Sequence, residues 1–187
     1  MESISLKLEG AFLLKPEVFL DKRGYFYESF NEKKFHESVD PNISFVQDNI
    51  SKSTKGVLRG LHIQKTYPQG KLIRVQKGKI FDVMVDLRPS SNTYKCWQGI
   101  FLTCESFEQI WVPPGFAHGF LVLSSYAEIH YKCSEKYSPE NELCLLWNDK
   151  ELAVDWPLDA LDKEATILSK KDLLGMSLDE LERKLDL

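Results

Sequence analysis

The sequence lacks several features that would assign it to a common functional class. It has no excess of positive charge, because 24 lysine and arginine residues stand against 28 aspartate and glutamate residues, for a net charge of −4. Non-specific binding to a phosphate backbone needs a basic surface, so we expect no nucleic-acid partner. No apolar run approaches the roughly 20 residues of a membrane span, and no cationic segment with an apolar core opens the chain. We therefore expect a cytoplasmic protein with no membrane partner.

Cysteines are few and show no paired spacing. Cys96, Cys104, Cys133 and Cys144 are scattered without a C-x-x-C motif, so neither a zinc knuckle nor a thioredoxin-like pair is indicated. We interpret them as small apolar residues in a reducing compartment.

Helical periodicity is also scarce, and short segments rich in valine, isoleucine, phenylalanine and tyrosine take its place. This pattern predicts one all-β domain over residues 1–187, a sandwich or barrel with a few short helices. Helix signals are confined to residues 31–38 and to a C-terminal helix at about 177–187, where Ser177 and Glu180 fit a capping box. Gly78 suits a tight hairpin. Strands are predicted at 12–20, 24–30, 44–51, 56–64, 71–78, 79–88, 96–103, 109–114, 118–124, 127–134 and 141–148.

In a strand, alternate side chains point to the same face. By this rule two polar residues share an inward face with apolar neighbours. Lys71 falls with Ile73 and Val75, and Tyr131 points inward while His130 points outward. A buried ammonium needs an anion or a developing anion, whereas a lysine at a strand end can also extend to solvent. Similarly, a buried tyrosine can be an acid or a packing residue.

The segment GVLRGLHIQ carries an arginine and a histidine that strict pleating would separate. Arg59 and His62 fall on opposite faces, but a β-bulge at Gly60 would turn both toward the interior. Further along, the rigid PPG turn leads into a strand that we predict to start near His118. This places a second imidazole near the mouth of the barrel, where a structural role is the simpler interpretation.

The spacing P-x-G-x-x-H that ends at His118 resembles the second motif of the cupin barrels. Metal-binding cupins carry H-x-H in their first motif, but here the corresponding residues are His62, Ile63 and Gln64. An amide is a poor donor to a transition metal. We therefore expect no metal and no cofactor, which leaves His62 available as a base.

Several long motifs resemble those of the dTDP-4-dehydrorhamnose 3,5-epimerase family. They are FVQDNISKSTKGVLRGLHIQ, KLIRVQKGKIFDVMVDLR, PPGFAHGFLVLS, YKCSEKYSPENE, WNDKELAVDWP and ILSKKD, and the resemblance spans roughly residues 5 to 176. It implies a metal-free, homodimeric, cupin-like double-stranded β-helix, or jelly-roll barrel. It also implies an isomerase of dTDP-rhamnose and polysaccharide biosynthesis that inverts C3 and C5 of a nucleotide-linked 4-keto-6-deoxyhexose.

Carried over by position, the resemblance implies a role for each motif residue. His62 is the general base, Tyr131 the opposing acid, Lys71 the cation near the sugar carbonyl, and Asp172 the carboxylate that orients His62. Arg23, on an N-terminal segment that reaches a partner subunit in the family, would act in trans. The implied substrate contacts are Arg23, Glu28, Gln47, Asn49, Arg59, His118, Glu142 and Lys171, with Tyr137 stacking on the base. Gly70 stands where the family often has alanine.

Three other functions remain open at this point. The first is a C3-only epimerase or a related ketoisomerase on a different nucleotide sugar, although Tyr131 favours action at C5 as well. The second is a non-catalytic cupin that binds a sugar nucleotide. The third is a metal-dependent cupin oxygenase.

Overall fold

The computed structural model describes residues 1–161 and 165–186. These residues form thirteen strands, three α-helices and two short 3-10 helices at Pro139–Asn141 and Leu158–Leu161. The α-helices are α1 (Glu32–Ser38), α2 (Lys170–Leu173) and α3 (Leu178–Leu185). The strands are β1 (Glu2–Ser5), β2 (Phe12–Lys15), β3 (Val18–Asp21), β4 (Gly24–Tyr27), β5 (Gln47–Thr54), β6 (Leu58–Gln64), β7 (Lys71–Lys77), β8 (Lys79–Asp86), β9 (Trp97–Thr103), β10 (Gln109–Val112), β11 (Phe116–Val122), β12 (Tyr126–Cys133) and β13 (Glu142–Cys144).

Two antiparallel sheets form the body of the protein. The six-stranded sheet has the order β1-β2-β10-β7-β12-β5, the five-stranded sheet has the order β13-β6-β11-β8-β9, and β3 pairs with β4 in a separate hairpin. Most neighbours in each sheet are distant in the sequence, as expected when strands cross repeatedly between two packed sheets. The predicted all-β, cupin-like jelly roll is therefore confirmed.

The space between the sheets is largely apolar. Ile73 and Ile129 of the six-stranded sheet belong to one buried cluster with Met84, Phe120 and Val122 of the five-stranded sheet. Lys71 and Tyr131 lie on the same strand faces as Ile73 and Ile129, as alternation predicted. One end of this interior therefore carries polar groups beside an apolar core.

The outer faces of both sheets are covered as well. Leu181 of α3 packs with Val83 and Leu121 behind the five-stranded sheet, while Phe35 of α1 packs with Trp111 behind the six-stranded sheet. Burial on both sides explains why β8 and β11 are apolar almost throughout rather than alternating. No described helix has the length and hydropathy needed to span a lipid bilayer.

The predicted bulge in β6 is present. Between the pairs His118–His62 and Phe120–Arg59, the register shifts so that two residues of β6 oppose one residue of β11. Gly60 has a φ of +112°, and a Cβ atom there would lie 2.6 Å from the carbonyl oxygen of His118. Only glycine fits this conformation and this close approach. Because of the bulge, Arg59 and His62 both reach the same cavity.

The strand and helix bounds differ from the predictions in several places. The predicted strand 12–20 is divided, because Pro16 separates β2 from β3 and lacks the N–H that a continuous ladder needs. β11 begins at Phe116, so the prediction of a strand start near His118 was wrong by two residues. Neither β1 nor α2 was predicted. The C-terminal helix has the expected capping box but ends at Leu185, and the last residue of its predicted range, 187, lies outside the described part of the chain.

Candidate active site

A cavity of about 320 Å³ opens between the two sheets at their polar end. The walls come from β5, β7 and β12 of one sheet, from β6, β11 and β13 of the other, from the segment between β12 and β13, and from α2. The lining residues are Gln47, Asn49, Ser51, Arg59, His62, Lys71, Ile73, His118, Gly119, Phe120, Ile129, Tyr131, Tyr137, Glu142 and Lys171. Ten of the thirteen predicted site residues are among them.

His62 and Asp172 form a tight pair on the side of β6. Nε2 of His62 lies 2.6 Å from Oδ1 of Asp172, which sits on the short helix α2 and is 3% exposed. Ser169, the N-cap of α2, donates its hydroxyl to Oδ2 of Asp172 at 2.7 Å. Burial alone would raise the pKa of Asp172, but hydrogen bonds from His62 and Ser169 outweigh it and lower the pKa to about 2. A charged carboxylate therefore holds the imidazole, with Nδ1 left on its other side.

Lys71 and Tyr131 lie on the opposite wall of the cavity. They belong to neighbouring strands of the six-stranded sheet, β7 and β12, whereas His62 belongs to the five-stranded sheet. Burial lowers the pKa of Lys71, although Cys133 and Glu142 oppose this shift. Burial also raises the pKa of Tyr131, so its phenol stays protonated at neutral pH. An acid and a cation therefore face the histidine across the cavity.

Glu142 links three residues around the free nitrogen of His62. Its Oε1 lies 3.8 Å from Nδ1 of His62, and its Oε2 accepts hydrogen bonds from Tyr137 at 2.7 Å and from Lys171. Burial opposes ionisation of Glu142, but the Lys171 and Tyr137 hydrogen bonds bring its pKa below the ordinary value. The same hydrogen bond to Glu142 raises the pKa of Tyr137 to about 12. This network fixes the edge of the cavity next to the imidazole.

Hydrogen bonds hold the polar side chains at the rim of the cavity in place. Arg59 donates from Nε to the hydroxyl of Ser53 at 3.0 Å, and the end of its guanidinium group has no hydrogen-bond partner among the described residues, so it is available to a ligand. Gln47 accepts a hydrogen bond from the backbone N–H of Tyr137 and donates one to Asn49. A rim of amides and one guanidinium group suits a polar, anionic ligand.

A second histidine–aspartate pair was not predicted. His118 contacts the carboxylate of Asp82 through Nε2 at 2.9 and 3.0 Å, and Asp82 is fully buried. Alternation along KIFDVMVDLR could have found this aspartate, because Asp82 lies between Ile80 and Met84 on the inward face. The interpretation of His118 as an isolated strand-start residue was therefore incomplete.

Ser51 is another lining residue that the sequence analysis missed. Its hydroxyl is buried in the cavity wall and has no hydrogen-bond partner among the described residues. It follows Gln47 and Asn49 at alternate positions of β5, and this spacing is the signal that could have identified it. A buried hydroxyl without a partner is available to a bound ligand.

Two predicted substrate contacts lie outside the cavity of this chain. Arg23 sits at the turn of the β3–β4 hairpin, where it pairs with Asp21 and its side chain is 84% exposed. Glu28 follows the same hairpin and pairs with Lys34 at 2.8 Å. Neither residue reaches the cavity within one subunit, so both would need a second subunit to contact a ligand there.

Gln64 does not offer a metal ligand to the cavity. Its amide nitrogen donates to the carbonyl oxygens of Tyr67 and Lys136, and its amide oxygen accepts the N–H of Ser138 at 2.8 Å. The side chain thus holds the loop after β12 in place. The ligand set of a metal-binding cupin does not fit these residues, because one position of the first motif is committed to the backbone.

Comparison with known proteins adds independent evidence. The family model described as dTDP-4-dehydrorhamnose 3,5-epimerase matches residues 5–180. The dTDP-4-dehydrorhamnose 3,5-epimerase of Pseudomonas aeruginosa is 49% identical over 175 residues, covering 94% of each chain. That of Escherichia coli is 47% identical over 184 residues, covering 98% of this chain and 97% of the relative. A crystal structure of the Legionella pneumophila dTDP-6-deoxy-D-glucose-3,5-epimerase in complex with dTDP-4-keto-L-rhamnose has a TM-score of 0.93 at 43% identity, covering 98% of this chain and 96% of that one.

Proposed function

The chain belongs to the dTDP-4-dehydrorhamnose 3,5-epimerase family, and on this premise we propose that it inverts C3 and C5 of a nucleotide-linked 4-keto-6-deoxyhexose. The substrate is dTDP-4-dehydro-6-deoxy-D-glucose and the product is dTDP-4-dehydro-L-rhamnose. The observation that carries the proposal is the carboxylate-bound imidazole of His62, which faces Lys71 and Tyr131 across one cavity.

His62 removes the proton from the carbon beside the ketone. Asp172 holds Nε2, so the hydrogen that neutral imidazole carries is placed there and Nδ1 is left free to accept a proton. Once the imidazolium forms, the adjacent carboxylate stabilises its positive charge. General base catalysis of this kind contributes roughly 10²- to 10⁴-fold to the rate. That is too little for a carbon acid, so a second effect is required.

Lys71 supplies that effect by stabilising the enolate oxygen. A preorganised charge or donor in a site shielded from water is typically worth roughly 3 to 4 kcal/mol in the transition state. Burial lowers the pKa of Lys71, which makes its ammonium group a stronger hydrogen-bond donor to the enolate oxygen. The inward position of a lysine on an otherwise apolar strand face thereby has a chemical explanation.

Tyr131 returns a proton from the opposite wall. Inversion requires that the proton leaves one face of the ring and that another arrives on the other face. His62 and Tyr131 belong to different sheets that bound the same cavity, which is the arrangement that inversion needs. The raised pKa of Tyr131 keeps the phenol protonated until the enolate carbon accepts the proton.

The remaining predicted residues position the substrate. Arg59 suits the diphosphate because its guanidinium group is a bidentate donor to phosphate oxygens. Tyr137 lies at the rim and is 49% exposed, so its ring can stack on the nucleotide base. The other predicted substrate contacts are Gln47, Asn49, His118, Glu142 and Lys171. The hydroxyl of Ser51, which has no partner among the described residues, adds one contact that the sequence did not suggest.

The proposal includes a homodimer in which Arg23, with Glu28, completes the partner's site. The β3–β4 hairpin that carries Arg23 exposes Phe19, Leu20 and Phe26, which are 56%, 77% and 70% accessible. Burying this apolar surface would offset the cost of association. The proposal also places the enzyme in the cytoplasm, where its free thiols persist and where polysaccharide precursors are built.

Proton NMR of the substrate in D₂O tests the proposal. The protein should introduce deuterium at both C3 and C5, and His62→Ala should abolish exchange at both carbons. His130→Ala is the matched control, because His130 faces away from the cavity beside Tyr131 and should leave exchange near the wild-type rate. Exchange that persists at either carbon in His62→Ala would show that another base acts there.

The same spectra separate the alternatives. Deuterium at C3 alone in the wild-type reaction would identify a monoepimerase. A saturable change in the substrate spectrum without exchange would identify a non-catalytic binding protein.

A further inference from the structure

Three side chains with different ligand atoms meet behind the cavity. The ligand atoms of His62, Asp172 and Cys144 all lie within 4.8 Å of one another. His62 and Asp172 have assigned roles in the proposed reaction, whereas Cys144 has none. Its thiol sulfur lies 3.8 Å from Oδ1 of Asp172 and is buried at the end of β13.

The spacing of these atoms is close to that of a tetrahedral metal site. Bonds of roughly 2.0 Å to nitrogen or oxygen and 2.3 Å to sulfur separate the ligand atoms by roughly 3.3 to 3.5 Å. The sulfur–oxygen separation of 3.8 Å needs to shrink slightly. The separation of 2.6 Å between His62 and Asp172 needs to widen, because a cation would replace the hydrogen now shared there. The third separation, between the sulfur of Cys144 and the ligand nitrogen of His62, is at most 4.8 Å.

The ligand types and their charge also fit one class of cation. An imidazole, a thiolate and a carboxylate together match the borderline-soft preference of Zn²⁺ and Co²⁺ rather than that of Mg²⁺ or Ca²⁺. One thiolate and one carboxylate carry two negative charges, which a divalent ion neutralises. A neutral assembly avoids the cost of burying net charge.

A second cavity, next to the substrate cavity, opens onto His62 and Asp172. It has a volume of about 340 Å³ and is lined by residues that include His62, Leu168, Ser169 and Asp172. Arg59, His62 and Lys171 line both cavities, so this second opening is a route to the His62–Asp172 pair beside the substrate cavity, and water in it can supply a fourth ligand.

We propose that His62, Cys144 and Asp172 bind a thiophilic divalent cation such as Zn²⁺, and that this cation inhibits the enzyme. It is an inhibitor and not a cofactor. The thiol of Cys144 loses its proton to solvent as the sulfur–metal bond forms. The hydrogen on Nε2 of His62 moves to Nδ1, because Nε2 must give its lone pair to the metal. Nδ1 then carries a proton and cannot accept another from the substrate.

One effect opposes binding. Burial and the neighbouring Asp172 raise the pKa of the Cys144 thiol to about 12, so the cation must displace a tightly held proton. The affinity should therefore be well below that of a structural zinc site, which fits reversible inhibition.

Cobalt binding tests the site without reference to activity. Titration of the wild-type protein with Co²⁺ should produce the near-ultraviolet charge-transfer band of a cobalt–thiolate bond, and Zn²⁺ should remove it. Cys144→Ser should lose the band. If serine destabilises the buried site, Cys144→Ala serves as a second variant. Cys133→Ser is the matched control, since Cys133 is also buried but is not among the three ligands. A wild-type protein without the band, or Cys144 variants that retain it, would overturn the site.

Inhibition tests the consequence, and this part rests on the proposed function. In buffered Zn²⁺, the inhibition constant of Cys144→Ser should rise on the order of 10- to 100-fold over wild type, while that of Cys133→Ser should not change. Equal inhibition of all three proteins would refute the inhibitory role. A protein with no epimerase activity would instead contradict the proposed function, and the cobalt band would still decide the site.

Discussion

Replacing Asp172 with asparagine tests whether this carboxylate acts through His62. Burial alone raises the pKa of Asp172, but hydrogen bonds from His62 and Ser169 bring it from 3.8 to about 2. This difference corresponds to roughly 2 kcal/mol in favour of the charged form. In the proposed reaction the imidazolium of the transition state depends on the same interaction, so a loss of roughly 2 kcal/mol should lower kcat about 30-fold. The variant also loses the carboxylate that favours the hydrogen on Nε2 of His62, which lowers kcat further.

The Michaelis constant should change by less than about threefold, because Asp172 lies behind the imidazole and not in the cavity wall. The measurement is the rate of deuterium exchange and epimerisation by NMR over a range of substrate concentrations. Asp149→Asn is the control: Asp149 is also buried, but it accepts backbone N–H groups of Glu151, Leu152 and Leu178. A kcat for Asp172→Asn within threefold of wild type would refute the reasoning.

Acid stability provides a second measurement on the same variant. The folded-state pKa of Asp172 lies below the unfolded value, so the carboxylate stabilises the native state above about pH 4. That contribution is lost as the pH falls toward 2. The difference in unfolding free energy between wild type and Asp172→Asn should therefore be roughly 2 kcal/mol at pH 6 and smaller at pH 3, as measured by urea unfolding. A difference that grows on acidification would contradict the assigned direction.

Three further substitutions probe other parts of the site. Arg59→Ala should raise KM roughly 10- to 100-fold with a smaller effect on kcat, because the diphosphate keeps its charge throughout the reaction; steady-state kinetics showing the reverse would reject this assignment. Tyr131→Phe should impair inversion at C5 while deuterium exchange that depends on the base continues, and equal loss of both would argue against separate roles. Gly60→Ala should lower the free energy of unfolding by roughly 2 kcal/mol or more, because its Cβ atom would lie 2.6 Å from the carbonyl oxygen of His118. An unchanged urea midpoint would show that the bulge tolerates a side chain.

Alternation along single strands is sufficient to locate much of the cavity. It correctly turned Lys71 and Tyr131 inward and His130 outward, and the glycine in GVLRGLHIQ correctly indicated the bulge that brings Arg59 and His62 together. These inferences succeed because the side-chain direction in a strand repeats every two residues and depends only on local geometry.

Contacts between distant segments could not be derived in this way. Asp172 meets His62 across 110 positions of sequence, and its placement depends on α2, a helix of four residues with too few positions to show a periodic pattern. Strand β1 was missed because ESIS has little apolar character. In both cases the partner segment, and not the local sequence, determines the conformation.

The sequence by itself therefore determined the all-β class, the strand faces and, through its motifs, the family. The tertiary structure decided which polar groups pair: Asp172 with His62, Asp82 with His118, and Glu142 with Tyr137 and Lys171. It also decided that Cys144 lies beside the His62–Asp172 pair. The physical reason is that side-chain direction is a local property of the backbone, whereas the distance between two side chains depends on how every intervening strand crosses between the sheets.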